Sequence, residues 1–452
     1  MATRDSLDHT VPKASGQVWL AGCAALVIAW GSATASGAAP CPEALSTAAD
    51  IQSAMRNATP GATILLAPGV YVGSRSGSGD PASKGRFYSG RSGTASSPIV
   101  MRSCDPAHPA VLSGSSVSDG SYAIHLTGDY WEIRDVVVTN AQKGVVIDNG
   151  NYNLLWDLDV HHIGDEGVHF RDGSSYNDLS RSRIRDTGNH QPAYGEGAYV
   201  GSDYADSYQH AVIGNVIRDT RFDGDITAEL IDIKEGADGT IVEFCTFDGT
   251  GITGANSGDC FIDAKGVNSV IRYNQGFRNG NSKVIDAFQV STHGSRYPTG
   301  RNNSFYRNTV ELDGCSGYVV DAASGTTGTT AHDDIRVEGG HMYTSNVSVA
   351  PTLAAGEPPQ RVPLAIAVAP NPSSGPVTFE CDVDRPGEGT VSVFDVAGRL
   401  VVEIARGSFS MGSQVWRWDG RRADGERAGR GIYFVRLAVD RYEVTRRFSL
   451  MR

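Results

Sequence analysis

A short strand-like segment recurs along the middle of this 452-residue chain, with loops of varying length in between. Residues 144–150 read Gly-Val-Val-Ile-Asp-Asn-Gly and residues 167–173 read Gly-Val-His-Phe-Arg-Asp-Gly. Related segments follow at 197–201, 230–234, 261–265 and 287–291. Their inward apolar anchors are spaced by 23, 30, 33, 31 and 26 residues: Val145, Val168, Ala198, Ile231, Ile262 and Phe288. A constant strand with variable loops is typical of stacked coils, so the pattern predicts a parallel β-helix.

The two ends of this repeat region mark the predicted domain boundaries. Residues 43–58 have the apolar spacing of a short amphipathic helix, which we expect to cap the open end of the coil stack. Residues 350–363 contain four prolines and few bulky apolar side chains, which is typical of a linker. We therefore predict a β-helix domain over 41–349, a linker over 350–363 and a second domain over 364–452.

The N-terminus has the pattern of an export signal. Arg4 and Lys13 precede an apolar run from Val18 to Trp30, and small residues follow it. This order is typical of secretory signal peptides, so we predict one over residues 1–38. The mature protein would then be secreted or held at the cell surface. In that oxidising environment, Cys41 and Cys104 could form a disulfide that staples the N-terminal end of the β-helix.

The charge balance argues against one class of partner. The chain has 51 Asp and Glu residues against 39 Lys and Arg. A net negative surface repels polyanions at long range, so we expect no nucleic acid partner. An acidic ligand would need a bound cation or a local basic patch to mediate its binding.

Aligning the repeats brings polar residues together on the outward face of the strands. One column contains His169, Tyr199, Asp232, Asp263 and Gln289, and the next contains Arg171, Lys234 and Lys265. Glu196 and Glu229 stand two residues before their anchors, and Asp259 borders the patch. Neighbouring rungs are about 4.8 Å apart, so these side chains should share one small patch. Because the whole chain has only 6 Lys, two of them in one column are notable. A charge ladder that serves solubility is the alternative interpretation.

This patch suits β-elimination of a uronate-containing polysaccharide. The reaction removes the proton next to the sugar carboxylate, whose charge must first be neutralised. Clustered carboxylates can hold Ca²⁺ for that purpose, and we predict Glu196, Glu229, Asp232, Asp259 and Asp263 as metal ligands. Lys234, Lys265 and Arg171 are the predicted catalytic residues, because a base and a second cationic group are needed. His169, Tyr199, Gln289 and His293 are predicted to bind substrate. Since Lys234 points outward, its replacement should leave stability nearly unchanged.

Two segments resemble known lyase families. Residues 60–71, with a Pro-Gly turn between apolar strands, resemble the opening of pectate-lyase-like β-helix proteins. Residues 229–234 resemble the Glu-to-Lys segment of polysaccharide lyase family six, the chondroitinase B and alginate lyase group. That resemblance implies that Glu229 is a calcium ligand and Lys234 the base. The family has an arginine acid one coil later, whereas this chain has Ala264-Lys265-Gly266. Asp259, Phe261, Ala264 and Lys265 also resemble a segment of family nine pectate lyases.

The C-terminal domain has alternating strands and Gly-rich turns over 391–399, 416–420 and 431–437. It resembles the FlgD-like, immunoglobulin-like domain and the C-terminal sorting domains of type IX secretion. The resemblance implies the secretion machinery as a partner. We expect Trp416 and Trp418 to lie in the core of this domain.

Taken together, these features predict an all-β fold. It comprises a right-handed parallel β-helix with an N-terminal capping helix, followed by an immunoglobulin-like β-sandwich. The predicted function is that of a secreted, monomeric polysaccharide lyase acting on an acidic glycan such as pectate, alginate or a glycosaminoglycan. Two alternatives remain: a non-catalytic β-helix adhesin and a β-helix glycoside hydrolase. A lyase needs Lys234, Lys265 and the carboxylates to converge in a groove, whereas an adhesin would scatter them along a flat surface.

Overall fold

The computed structural model describes residues 42–75, 83–349, 366–383, 387–396, 398–409, 412–439 and 442–451. The chain forms two compact units, Met1–Ala350 and Pro351–Arg452. The predicted signal peptide over 1–38 and the predicted linker over 350–363 lie outside the described residues.

An α-helix, Ala48–Asn57, lies at the start of the first unit. Its N-cap is Thr47, whose side chain accepts a hydrogen bond from the backbone N–H of Asp50. Ile51 and Met55 are fully buried against the first coil. The helix is shorter than the predicted span of 43–58 because Leu45 instead forms a parallel bridge with Leu66.

Three parallel sheets run along the first unit, and each coil contributes a strand to them in turn. Sheet 1 consists of Thr63–Leu66, Ile99–Ser103, Trp131–Arg134, Leu154–Trp156, Asp178–Ser180, Val216–Arg218, Ile241–Glu243, Val270–Arg272, Ser304–Tyr306, Thr330–His332 and Ser348–Val349. Sheet 2 consists of Val70–Val72, Ala110–Ser113, Val136–Ala141, Asp159–Ile163, Arg183–Thr187, Arg221–Ile226, Thr246–Asp248, Gln275–Phe277, Thr309–Glu311 and Ile335–Arg336. Sheet 3 consists of Gly85–Ser89, Tyr122–Leu126, Lys143–Asp148, Val168–Arg171, Ala198–Val200, Ile231–Ile233, Ile262–Ala264, Phe288–Val290 and Val320–Ala322.

Shorter elements lie in the loops. Val212–Ile213 pairs with Ala237–Asp238 in a two-stranded parallel sheet. Single turns of 3-10 helix span Pro192–Tyr194, Gly249–Gly251 and Ala255–Ser257.

Sheet 3 has the register that the aligned repeats predict. Val145 pairs with Val168, Val168 with Ala198, and the row continues in order through Ile231, Ile262 and Phe288. All six side chains are fully buried. Since side chains alternate along a strand, the residue after each anchor faces away from the core, and from Val168 onward that residue is polar.

Stacked side chains fill the inside of the coils. Five buried phenylalanines follow one another through the later coils: Phe222, Phe247, Phe261, Phe288 and Phe305. At one corner, the amide of Asn177 donates to Asn215 at 3.0 Å and its oxygen accepts from Asn153 at 3.0 Å. These contacts satisfy amides that would otherwise be buried without partners.

The second unit is antiparallel. One sheet contains Ile366–Ala369, Val377–Val383 and Gly412–Trp418, and the other contains Gly387–Asp395, Leu400–Phe409, Gly431–Val439 and Tyr442–Leu450. Trp418 is buried in its core and Trp416 packs against that core, as the sequence predicts.

The cysteines of the first unit are found in two states. Cys104 is disulfide-bonded, and its predicted partner, Cys41, lies outside the described residues. Cys245 and Cys260 are buried thiols. Within the described ranges, no helix has both the length and the apolar character needed to cross a membrane.

Candidate active site

The outward face of sheet 3 carries the predicted polar columns. His169 pairs with Tyr199, Tyr199 with Asp232, Asp232 with Asp263, and Asp263 with Gln289. A cleft of about 470 Å³ opens over the middle of this face. It is lined by Lys143, Glu166, His169, Arg171, Tyr194, Glu196, Tyr199, Asp203, Asp206, Tyr208, Asp232, Lys234 and Asn256. The structure therefore brings six of the predicted site residues into one cleft, and the others lie below or beside it.

Three buried carboxylates form a cluster in this region. One oxygen from each of Glu196, Glu229 and Asp232 lies within 4.8 Å of the other two. Burial and the nearby charges of Glu166 and Glu229 raise the pKa of Glu196 well above its ordinary value. Burial and the charge of Asp232 raise the pKa of Glu229 to about 8. Oε2 of Glu196 has no hydrogen-bond partner among the described residues, and an all-oxygen cluster of this kind fits a Ca²⁺ ion.

Lys265 is held firmly beside this cluster. Its Nζ lies 2.8 Å from Oδ1 of Asp232 and 2.5 Å from Oδ2 of Asp263. Burial alone would lower the pKa of Lys265, but the charges of these two carboxylates raise it well above the ordinary value. Asp263 also accepts a hydrogen bond from Ser291. Lys265 is thus a fixed, permanently charged partner of the two aspartates.

Lys234 lies one coil away in a looser environment. Its Nζ is 3.8 Å from Asp203, 3.8 Å from Asp232 and 3.9 Å from Glu235, which is beyond hydrogen-bond distance. The same nitrogen lies 5.6 Å from the ring centroid of Tyr199. The residue is only 6% exposed, so its replacement should affect stability more than its outward strand position alone predicts. The loop that carries Asp203 and Tyr208 covers this part of sheet 3, and the strand pattern does not predict its path.

Tyr199 occupies the centre of the cleft. Its ring meets the His169 ring edge-on, with 4.6 Å between centroids. Burial and the charge of Asp232 raise the pKa of Tyr199 well above its ordinary value, so the phenol keeps its proton at neutral pH. A phenol hydroxyl beside a lysine side chain is a pair that can transfer protons at two positions of a substrate.

His169 and Arg171 are both committed to neighbouring groups. Nε2 of His169 lies 2.9 Å from the carbonyl oxygen of Gly201, and burial lowers the pKa of this imidazole. Nε and Nη2 of Arg171 donate to both oxygens of Asp148, and the guanidinium lies 4.3 Å from the ring centroid of Tyr208. A bidentate arginine of this kind is a fixed cation in the cleft wall.

The remaining predicted residues lie towards the later coils. Gln289 donates to Asp259 at 2.9 Å and to Asp286 at 3.1 Å, so Asp259 belongs to a separate polar group. His293 lies on the loop after Phe288–Val290, and its Nδ1 is 3.1 Å from Oε1 of Glu235.

Sequence reasoning missed Asp203 and Glu235. Both surround Lys234, and Glu235 is fully buried. Each follows the end of a sheet 3 strand within three residues. An acidic residue just past the end of an aligned strand is therefore a sequence signal for this part of the site.

A second cleft, of about 430 Å³, lies between sheets 1 and 2 and contains none of the predicted site residues. Arg183 and Arg221 line it, and both pair with Asp223. Both arginines are thus engaged with an aspartate outside the cleft lining, and the sheet 3 cleft remains the better candidate.

Comparison with known proteins places both units. Residues 31–205 match the family model of the Pel9A-like right-handed β-helix region, and residues 370–442 match the FlgD Ig-like domain. The structure of pectate lyase Pel9A shares the fold, with a TM-score of 0.50 and 22% identity over 66% of this chain and 72% of that one. These matches define the first unit as a right-handed parallel β-helix of the pectate lyase type, and they confirm the fold predicted from the sequence.

An alginate lyase from Paenibacillus sp. str. FPU-7 is much more similar in sequence. Its crystal structure matches with a TM-score of 0.63 and 45% identity, over 68% of this chain and 98% of that one. The chain therefore belongs to the β-helix polysaccharide lyase family that includes this alginate lyase. Pectate lyase L of Dickeya chrysanthemi is 29% identical over 136 residues, which are 29% of this chain and 30% of the relative. The chain thus matches less than a third of that relative's length.

Proposed function

We propose that the protein cleaves a uronate-containing polysaccharide by β-elimination in the sheet 3 cleft. The observation that carries this proposal is the pairing of Lys234 with Tyr199. They come from adjacent coils, line the same cleft and lie 5.6 Å apart, measured from Nζ to the ring centroid. Family membership with an alginate lyase that is 45% identical supports the same class of reaction.

Lys234 is assigned as the base and Tyr199 as the acid. Lys234 takes the C5 proton of the uronate, and the electron pair left at C5 forms the C4–C5 double bond. The bond from C4 to the linking oxygen breaks, and the Tyr199 phenol gives its proton to that oxygen. Lys265 is unsuited to either step because Asp232 and Asp263 bind its protons. Its assigned role is to hold the two aspartates in place.

The substrate carboxylate needs a positive environment before C5 can lose its proton. Arg171 supplies a fixed guanidinium in the cleft wall, and Asp148 holds its orientation. A Ca²⁺ ion held by Glu196, Glu229 and Asp232 would, when bound, neutralise the substrate carboxylate. The unpartnered Oε2 of Glu196 supports a cation at that cluster. His169 and Tyr208 line the same cleft and would contact the sugar rings.

An adhesin would present its charges on an open surface. Here Lys234, Asp232 and Glu196 are all at most 6% exposed and line one cleft. This arrangement favours an enzyme. Export through the predicted signal peptide and through the FlgD-like unit belongs to the same proposal, since a polysaccharide substrate lies outside the cell.

The test is a substrate panel. Purified protein is incubated with alginate, pectate and chondroitin or dermatan sulfate, with Ca²⁺ or with EDTA, and the ultraviolet absorbance of the C4–C5 double bond is followed. We expect unsaturated products from one polymer class. Tyr199→Phe should reduce the rate about 100-fold while binding persists. New reducing ends without that absorbance would indicate a hydrolase, and binding without any turnover would indicate an adhesin.

A further inference from the structure

Three loops meet at one end of the cleft. They follow the sheet 3 strands Ala198–Val200, Ile231–Ile233 and Phe288–Val290, and they contribute Asp203, Glu235 and His293. We propose that these three residues form a binding site for a divalent transition-metal ion, separate from the three-carboxylate cluster. The proposal does not depend on the lyase activity, because it concerns metal binding itself.

The spacing of the donor atoms fits such an ion. Nδ1 of His293 lies 3.1 Å from Oε1 of Glu235 and 3.7 Å from Oδ2 of Asp203. One donor atom from each residue lies within 4.8 Å of the other two. Ligands bound at about 2.0–2.2 Å in tetrahedral or octahedral geometry are themselves about 3.0–3.5 Å apart. The His293–Glu235 distance already falls in this range and the His293–Asp203 distance exceeds it by about 0.2 Å, so a modest movement of the Asp203 side chain would complete three bonds to one ion.

An unsatisfied buried oxygen points independently to a cation. Glu235 is fully buried, and its Oε1 accepts the backbone N–H of Tyr204 at 2.5 Å. Its Oε2 has no hydrogen-bond partner among the described residues, and Nζ of Lys234 is 3.9 Å away. Buried carboxylate oxygens are nearly always paired. An ion bound by both carboxylate oxygens of Glu235 would keep the spacing to His293 and give Oε2 its missing partner.

The donor set distinguishes this site from the other cluster. Ca²⁺ takes oxygen ligands, whereas an imidazole with two carboxylates suits Zn²⁺, Mn²⁺ or Fe²⁺. Three protein ligands also leave a coordination position for water or another oxygen ligand. Asp203 and His293 are partly exposed, with side-chain exposures of 40% and 36%, so an ion can enter from solvent.

Metal binding would fasten the three loops together. The His293 ring already meets the Tyr204 ring edge-on at 4.9 Å, and the backbone N–H of His293 donates to Thr299 at 3.1 Å. An ion bound to all three loops would add a cross-link among segments that are far apart in sequence. We therefore expect the loaded protein to unfold at a higher temperature.

The experiment uses the full chain after treatment with EDTA and its removal. Zn²⁺ is titrated calorimetrically, and thermal unfolding is measured with and without the ion. We expect one Zn²⁺ per chain, a raised Tm, and no displacement of Zn²⁺ by Ca²⁺. His293→Ala and Asp203→Asn should each weaken the Zn²⁺ Kd at least about 10–100-fold, as losses of metal-site groups generally do. His162→Ala is the matched control, because His162 is an exposed histidine paired with Asp186 elsewhere.

Two results would overturn the proposal. One is the absence of stoichiometric Zn²⁺ binding, which would leave an ordinary ion pair between His293 and Glu235. The other is an unchanged Kd in Asp203→Asn, a partly exposed position whose replacement should not impair folding. A loss of Zn²⁺ binding in His162→Ala but not in His293→Ala would place the ion at the surface histidines instead.

Discussion

Lys234 and Lys265 stand at the same position of neighbouring coils, yet their surroundings differ. They directly follow Ile233 and Ala264, which pair in sheet 3, and both approach Asp232. Lys265 is bound by two aspartates at 2.8 and 2.5 Å, whereas among the described residues no carboxylate comes closer than 3.8 Å to Lys234. Lys265 is therefore held between two acceptors, whereas Nζ of Lys234 is left to contact a substrate in the cleft. The same residue in the same register can therefore serve structure on one coil and chemistry on the next.

Replacement of Lys234 is expected to have the largest effect on the rate of polysaccharide cleavage. Lys234→Ala and Lys234→Arg should each lower the rate of polysaccharide cleavage about 10²–10⁴-fold, because neither can take the C5 proton. Lys283→Ala, an exposed lysine outside the cleft, is the matched control and should keep full activity. A fully active Lys234→Arg protein would contradict the assignment of the base.

Replacement of Lys265 should instead lower the free energy of unfolding. Lys265→Ala leaves Asp232 and Asp263 without their cation, and removal of one partner from a buried ion pair typically costs about 3–5 kcal/mol in the free energy of unfolding. Lys234→Ala should cost less, about 1–3 kcal/mol, because its contacts are longer. Urea unfolding of both variants measures the difference. Equal losses would mean that the two lysines share one role.

Glu229 should make the stability of the folded protein depend on pH. Its folded-state pKa of about 8 lies above the ordinary glutamate value, so the folded protein binds this proton more tightly than the unfolded chain does. In EDTA, stability from this group is therefore fully present below about pH 4.5 and is lost as the pH rises through 8. Glu229→Gln should flatten this part of the Tm–pH profile. An unchanged slope in the variant would show that another group titrates.

Removal of the second unit should have the smallest effect. Every group in the Lys234–Lys265 comparison lies in the first unit, and the two units are separately compact. A protein that ends at Ala350 should keep its kcat, and Lys234→Ala should lower it by the same factor as in the full chain. A truncated protein that fails to fold would show instead that the β-helix needs the second unit.

Much of the fold follows from pattern because β-helix coils are nearly one-dimensional. The spacing of the anchors from Val145 to Phe288 predicts the strands of sheet 3, and their measured register is the predicted one. The stack of Asp232 on Asp263 and the neighbourhood of Lys234 and Lys265 follow from that register. The capping helix was predicted too long because the bridge of Leu45 with Leu66 cannot be read from helical periodicity.

The loops account for what the pattern missed. Glu235 pins Tyr204 and His293, which are 31 and 58 residues away in sequence. No periodic signal links such positions, because each loop has its own length and path. For the same reason, Lys234 is buried although its strand position faces outward.

The coil architecture, the FlgD-like second unit and the column of polar residues on sheet 3 follow from the amino-acid sequence alone, because alternation along a strand and repetition between coils are local properties. The tertiary structure is needed to learn which lysine is held by hydrogen bonds, which carboxylate oxygens lack partners and which loops close over the cleft. Those outcomes depend on differences of about an ångström in the distances between side chains that are remote in sequence. Hydrogen bonds and electrostatic interactions weaken steeply over such differences.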